Sequence, residues 1–559
     1  MIKLELQKLL SAASGKEVKI EYPADPSHGD YACNVALTLS KELGKAPQII
    51  AQEIIDKVPA NNIIGKIEIA GPGFINIFIS EESQKRELER ILKEKNQYPK
   101  VSSNKEKIIL EYSSPNIAKP LGVHHLLSTI IGQSLYNIYT QLGYDTESIN
   151  HIGDWGTQFG KLIYAYKTWG KKATIEKDPI SELLKLYVKF HDEVEKNPAI
   201  EDAGRLEFKK FEEGDKENRE LWQWFVDESI KEIQSTYDKI GGIHFDHTQG
   251  ESFYEDKMSA ILEEGKSKKI FKEGEEGAYI AEFEDENMSP LVIQKKDGAT
   301  LYSTRDLATI KYRIDTFKPK KILYMVDIAQ TLYFKQLFEV AARFPWFNTE
   351  CVHVWFGRMH LKDGKASTRK GNVILLDEVL DEAVVRAKKI IEEKNPSLQN
   401  IAEVARIIGI GAVKYNILSQ NRTTDITFDW DRMLSLEGNS APYLQYSYAR
   451  SHSILRKQET TKDVLPDPPE AAEKIRLIKS FLPKFQEQLE MAAQEYKPNI
   501  LSNYLYELAQ RFNSFYNGVQ VVRADSEAKK KERLEIVEAT SQILKNGLAL
   551  LGVEVVEEM

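Results

Sequence analysis

Residues 108–132 read IILEYSSPNIAKPLGVHHLLSTIIG, and this stretch decides the fold. It opens on an apolar, β-branched run, Ile108 to Leu110, that reads as a strand. A loop with Pro115 and Pro120 follows, and then helical spacing from about Val123 to Leu142. Gly143 ends the helix, and DTESINHIG reads as a second strand. Strand, crossover helix and strand with short joints are the signature of a parallel, doubly wound sheet, whose ligands sit at the carboxyl ends of its strands. The loop after IILEYSS is therefore a predicted binding edge. Free N–H groups and a positive dipole at the helix start favour an anion, and the imidazoles of His124 and His125 add donors; the bland alternative for the pair is capping or surface solvation.

Before this stretch, residues 1–103 mix an opening helix, the strand-like EVKIEY and the run IEIAGPGFINIFI, which predicts a small α+β module. In that run Phe74, Asn76 and Phe78 share one face and Ile75, Ile77 and Ile79 the other, which is the period of a strand. After it, a Rossmann-like catalytic domain is expected over residues 104–395, with a charged, helical insertion at about 166–286 that carries no obvious motif. The α/β pattern resumes at ATLYSTRD and KKILYMVD. From residue 396 to 559 strand signals nearly vanish, and an all-α helical bundle is expected. The fold class is thus multidomain, with a parallel sheet at its centre.

At 559 residues the chain exceeds what one core supports. Its 42% hydrophobic and 29% charged composition is that of an ordinary globular protein. No apolar run approaches the roughly 18 residues that span a bilayer, and the start MIKLELQKLL lacks a cleavage site, so a cytoplasmic location is expected. Cys33 and Cys351 stand alone, without a Cys/His cluster, which predicts buried thiols and no protein-bound zinc or other metal. The net charge of −9 restricts any RNA footprint to a local patch.

The segment Ser114, Pro115, Asn116, Ala118, Lys119, Pro120, with Ser128, Thr129, Ile130, Ile131 and Gly132 beyond it, resembles the first signature of class I aminoacyl-tRNA synthetases as it occurs in the arginyl enzymes. His125 coincides with the second histidine of that signature. Gly122 stands where the family has its first histidine, His124 where it has glycine, and Leu127 replaces a common arginine. The resemblance implies ATP contacts from Gly122, His124 and His125, with Lys119 a candidate for the phosphates. In GKASTRKGN, Lys365 and Ser367 match the family's second signature, Thr368 replaces its second lysine, and Lys370 comes two residues later. The resemblance gives this loop the pyrophosphate, with Ser367 on ATP and Lys365 and Lys370 on the developing charge.

A guanidinium is a planar fork of donors that calls for carboxylates. The resemblance implies that Glu111 and Asp306 face it, that Tyr302 walls the pocket, and that Asn116 and Gln330 hold the amino and carboxylate groups. A capping role is the alternative for Asp306. Tyr333 stands where the family usually has histidine, and HIGDWGTQFG, from His151 to Gly160, is placed at the site's wall without a role. For tRNA, the resemblance points to Phe74 and Asn76 in the amino-terminal module, and to Tyr443, Tyr446, Arg450 and Met559 in the bundle, the first three of these at i, i+3 and i+7 on one helix face. The activity this resemblance implies is that of an ATP-dependent arginine–tRNA ligase, with Mg²⁺ accompanying ATP, tRNA(Arg) and L-arginine as partners, no membrane, and a monomer. The rivals are a tRNA-binding paralogue without catalysis and a class I synthetase for another amino acid, lysine foremost.

Overall fold

The computed structural model of the protein describes residues 1–274, 277–296, 298–362, 375–457 and 464–559. They form two compact units, one of residues 102–387 and 416–430 and the other of residues 1–101, 388–415 and 431–559.

The first unit is built on strands β1 (Lys107–Glu111), β2 (Asp145–Asn150), β3 (His247–Thr248), β4 (Lys321–Tyr324) and β5 (Glu350–His353). They form one sheet in the order β5-β4-β1-β2-β3, with every neighbouring pair parallel. Ile108, Ile109 and Leu110 are buried in succession, as in a strand covered on both faces, which explains why the run shows no apolar–polar alternation. Helix α1 (Val123–Gln141) leads from β1 to β2, while α2 (Tyr302–Phe317) precedes β4 and α3 (Thr331–Ala341) follows it. Because the chain proceeds from β1 to one side and returns on the other, the sheet has its switch point between β1 and β4, where Glu111 pairs with Tyr324. Gly132 lets α1 close on the strand end: a Cβ there would lie 2.2 Å from the Cβ of Tyr112.

The charged stretch folds into helices packed on Trp155, Leu183, Phe211 and Phe225. One expectation is corrected here. The span 166–286 is not wholly an insertion, because it supplies β3, the fifth strand of the sheet, and the 3-10 turn Glu251–Lys257 beside it. A two-residue strand is too short to show a period. Ile426–Phe428, in the stretch read as purely helical, pairs in parallel with Met359–Leu361.

In the second unit, Ile20–Glu21, Tyr31–Cys33, Phe74–Ile79 and Ile64–Ala70 form a four-stranded antiparallel sheet in that order. Ile75, Ile77 and Ile79 are buried against Leu6, Leu10, Ile50 and Ile54 of its helices. The carboxyl-terminal part is helical, and one buried carboxylate ties the two parts. Glu487 of helix Lys484–Glu495 accepts hydrogen bonds from the Lys3 N–H at 2.8 Å, the Tyr22 hydroxyl at 2.6 Å and the Tyr31 hydroxyl at 3.1 Å. Cys33 and Cys351 are unpaired, and burial pushes their thiols up to about 11 and about 12, which makes them unreactive. No helix among the described residues is long and apolar enough to cross a membrane.

Candidate active site and candidate tRNA-binding residues

Sequence spacing and strand ends converge on one cavity of about 540 Å³ at the switch point. Glu111, Asn116, His124, His125, Tyr302, Asp306 and Gln330 all line it, joined by Ser113, Ser114, His151, Gly153, Glu251, Asp327 and Tyr333. The loop that carries Ser113 (φ 68°), Ser114 (φ 48°) and Ala118 (φ 59°) runs through left-handed conformations that side chains rarely adopt. It is held there by its neighbours. The Ser113 N–H donates to Ser128 Oγ at 3.0 Å, the Ser114 N–H to Asn150 Oδ1 at 3.1 Å, and Ser128 Oγ donates onward to the Met325 carbonyl at 2.7 Å. Gly153 leaves room for the Asn116 side chain, since a Cβ there would lie 2.2 Å from Asn116 Oδ1 and push it aside.

At the start of α1 the Gly122 N–H donates to His125 Nδ1 at 2.9 Å, and the His125 N–H donates back to the Gly122 carbonyl at 2.9 Å. A backbone N–H can only donate, so Nδ1 is the acceptor and the ring proton rests on Nε2. Burial, with the neighbouring His124, holds His125 at about 4, so it is a neutral Nε2–H donor at ordinary pH. His124 lies with its ring centroid 3.9 Å from that of His125, and burial lowers it too. Lys119 does not line the cavity; it is exposed with Nζ 5.5 Å from the centre of the Tyr187 ring. Lys365, Ser367 and Lys370 lie outside the described residues.

The opposite wall is acidic. Glu111 Oε2 is 2.5 Å from Arg313 Nη1, and both side chains are buried. Arg305 binds Glu251 at 3.2 Å and Glu255 at 2.9 Å. Asp306 has no Lys, Arg or His within ion-pair distance among the described residues; its Oδ2 accepts from the Tyr333 hydroxyl. Burial pushes Asp306 up to about 6, against the Tyr333 bond and with the charge of Glu111 adding to the rise. Burial likewise pushes Glu251 up to about 7, against the pull of Arg305. His151 donates from Nδ1 to the Gln249 carbonyl at 3.1 Å, and burial holds it neutral with a pKa of about 4. The wall is thus short of positive charge, and a cation entering it relieves both raised acids.

Sequence reasoning missed Glu251, Arg305 and Arg313. Glu251 comes after a strand too short to read. Arg313 left a signal, because Tyr302, Asp306, Thr309 and Arg313 fall at i, i+4, i+7 and i+11, a stripe on one face of α2 that an arginine would enter only with a buried partner. Among the described residues, no group of three or more His, Cys, Asp or Glu is placed to hold a metal ion.

In the other unit, Phe74 is 37% exposed, whereas Asn76, expected to read a base edge, is 3% exposed, because its strand is paired on both sides. On helix Ala441–Lys457, Tyr446 is exposed and Tyr443 and Arg450 half-buried. Arg450 donates to Asn513 Oδ1 at 2.7 Å and to the Tyr446 hydroxyl at 3.2 Å, and its guanidinium lies 4.7 Å from the Tyr446 ring and 5.3 Å from that of Tyr516. Asn513 in turn donates to the Tyr443 hydroxyl at 2.9 Å. The predicted face is therefore a bonded cluster, extended by Asn513 and Tyr516. Met559 is half-buried, and its carbonyl accepts from Asn395 Nδ2 at 3.2 Å.

A comparison with known families accounts for sheet and cavity together. Residues 87–430 match tRNA synthetases class I (R), catalytic domain, so the catalytic unit is that of a class I aminoacyl-tRNA synthetase. Residues 1–79 match the arginyl tRNA synthetase N terminal domain and residues 444–559 the DALR anticodon binding domain. An arginine–tRNA ligase of Fusobacterium nucleatum is 44% identical over 553 residues, covering 97% of this chain and 96% of its own length. One of Clostridium acetobutylicum is 45% identical over 546 residues with the same coverage. Among solved structures, the arginyl-tRNA synthetase of Plasmodium falciparum superposes with a TM-score of 0.85 at 25% identity over 100% of this chain and 99% of that one. That of Thermus thermophilus does so at 0.82 and 24%, covering 100% of both, which shows the fold. The chain belongs to the arginyl-tRNA synthetase family.

Proposed function

We propose that the protein attaches L-arginine to its cognate tRNA at the expense of ATP, through an arginyl-adenylate. The observation that carries this reading is the acidic wall, where Asp306 lacks a cation beside a Glu251 that burial has pushed up to about 7. A guanidinium supplies the missing charge and the fork of donors. Tyr302 walls the pocket, Glu111, kept in place by Arg313, borders it, and Asn116 and Gln330 take the amino and carboxylate groups.

An arginine carboxylate oxygen attacks the α-phosphorus of ATP, and the bond to pyrophosphate breaks. A terminal ribose hydroxyl of the tRNA, the 2′-hydroxyl by family resemblance, then attacks the carbonyl carbon and AMP leaves. No covalent enzyme intermediate is involved, so the side chains position and stabilise charge. His125 donates from Nε2–H at the α1 start, with Gly122 and His124 beside it. Lys365, Ser367 and Lys370 serve the pyrophosphate, and Mg²⁺ enters with ATP as part of that substrate. Phe74 and the Tyr443, Tyr446 and Arg450 cluster contact tRNA, with Met559 near the anticodon. The protein works as a monomer in the cytoplasm.

Aminoacylation of an arginine tRNA transcript by the purified protein tests this, with lysine and citrulline as competitors. Arginine alone should be charged; equal use of lysine would overturn the guanidinium pocket.

A further inference from the structure

Of Glu111, Glu251, Glu255 and Asp306, Asp306 is the one held by a neutral group rather than by an arginine. Glu111 has Arg313, and Glu251 and Glu255 share Arg305. Asp306 has the phenol of Tyr333, donated across from α3 to α2. The ring of Tyr333 is fixed in turn by Tyr302, edge-on with centroids 5.0 Å apart, and all three side chains line the cavity. No other hydrogen bond reaches the carboxylate of Asp306 among the described residues, so its second oxygen, Oδ1, has no protein donor.

The chemistry of a phenol suits this position in a way that a charged side chain does not. A neutral O–H satisfies one carboxylate oxygen without cancelling its charge. A lysine, an arginine or a protonated histidine there would neutralise Asp306 and compete with an incoming guanidinium. Resting on the arginine–tRNA ligase reading, we propose that Tyr333 is a positioning residue for arginine: it anchors Asp306 by Oδ2 and leaves Oδ1 and the full negative charge to the substrate's guanidinium.

The surroundings give this a pH signature. Burial pushes the Tyr333 phenol well above its ordinary value, with the charge of Asp306 adding to the rise, so it remains a donor throughout the working range. The groups facing Asp306 are Glu111 from β1, Glu251 from the 3-10 turn, Arg305 and Arg313 from α2 itself, and Tyr302 and Tyr333. Of these, the phenol is the one whose hydrogen bond favours the ionised carboxylate. Removing it raises the Asp306 pKa further. The ionised form that binds arginine is then lost at a higher pH as the solution is acidified.

The test measures aminoacylation by the full chain with Tyr333→Phe and Tyr333→His, varying arginine and ATP separately from about pH 5.5 to about pH 8.5. Tyr333→Phe is expected to raise KM for arginine about tenfold, to leave KM for ATP within about twofold, and to move the acid limb of kcat/KM for arginine to higher pH. Tyr333→His should steepen the loss at low pH, because its imidazolium occupies Asp306. Unchanged arginine KM and acid limb in Tyr333→Phe would overturn the proposal, as would equal losses for arginine and ATP with an unmoved limb, the mark of a merely structural side chain. If the unsubstituted protein fails to charge arginine tRNA, the underlying reading falls as well; if it charges normally and Tyr333→Phe changes nothing, only the role of the phenol falls.

Discussion

The acidic wall of the cavity and the aromatic face of helix Ala441–Lys457 are each left short of opposing charge, with opposite signs. In the wall, Asp306 is an anion held by a phenol, in surroundings dry enough to lift its pKa to about 6. On the helix, Arg450 is a cation held by Asn513 and the Tyr446 hydroxyl, with no carboxylate paired to it among the described residues. An unmatched charge in the buried site costs several kcal/mol, whereas the half-exposed one keeps part of its hydration. In the proposed function both are places for a ligand, and burial sets how demanding each would be.

The largest expected effect comes from Asp306→Asn. Removing one partner of a buried charge pair costs about 2–5 kcal/mol, so kcat/KM for arginine should fall by about 30-fold to a few thousand-fold. ATP binding should change by less than about threefold. Equal losses for the two substrates would make Asp306 a structural residue and break the contrast. Next in size is Tyr446→Ala, where a lost base stack of about 1–3 kcal/mol should raise the KM for tRNA roughly 5-fold to 150-fold, with the KM for arginine untouched. A variant that binds tRNA normally would remove the exposed half of the comparison. The smallest effect is that of salt on Arg450→Ala. Loss of one phosphate contact lowers the slope of log affinity for tRNA against log salt by about one, while arginine affinity, set inside a screened cavity, should hardly respond in either protein.

How far these sites could be read from sequence depends on how each is made. The run IILEY and the Ser114–Gly132 segment declared both the sheet and its binding edge, because a strand, a helix and their junction leave periodic and local marks. Glu111 stood out as an acid at a strand end and Asp306 as one a helical turn beyond Tyr302, while the roles of all five, Asn116 and Gln330 included, came from the family resemblance; they meet in one cavity. Glu251 was invisible, since it depends on a two-residue strand and on the fold returning across the sheet. The Arg313 partnership was hidden for the same reason: a neighbouring strand supplies Glu111. For Lys119, a loop lysine carries no sign of which way the left-handed turn at Ala118 aims it.

The bond pattern of Glu487 bears on how such a protein gains and loses parts. Residues 1–79 match a family domain of their own, yet Tyr22, Tyr31 and the Lys3 backbone supply the donors to a carboxylate that belongs to the helical part. Were that module deleted, Glu487 would keep its place in helix Lys484–Glu495 without those partners, and Tyr22 and Tyr31 on the excised piece would lose the acceptor they share. The two segments thus share one set of hydrogen bonds, and loss of the first would call for a change at position 487 in the second.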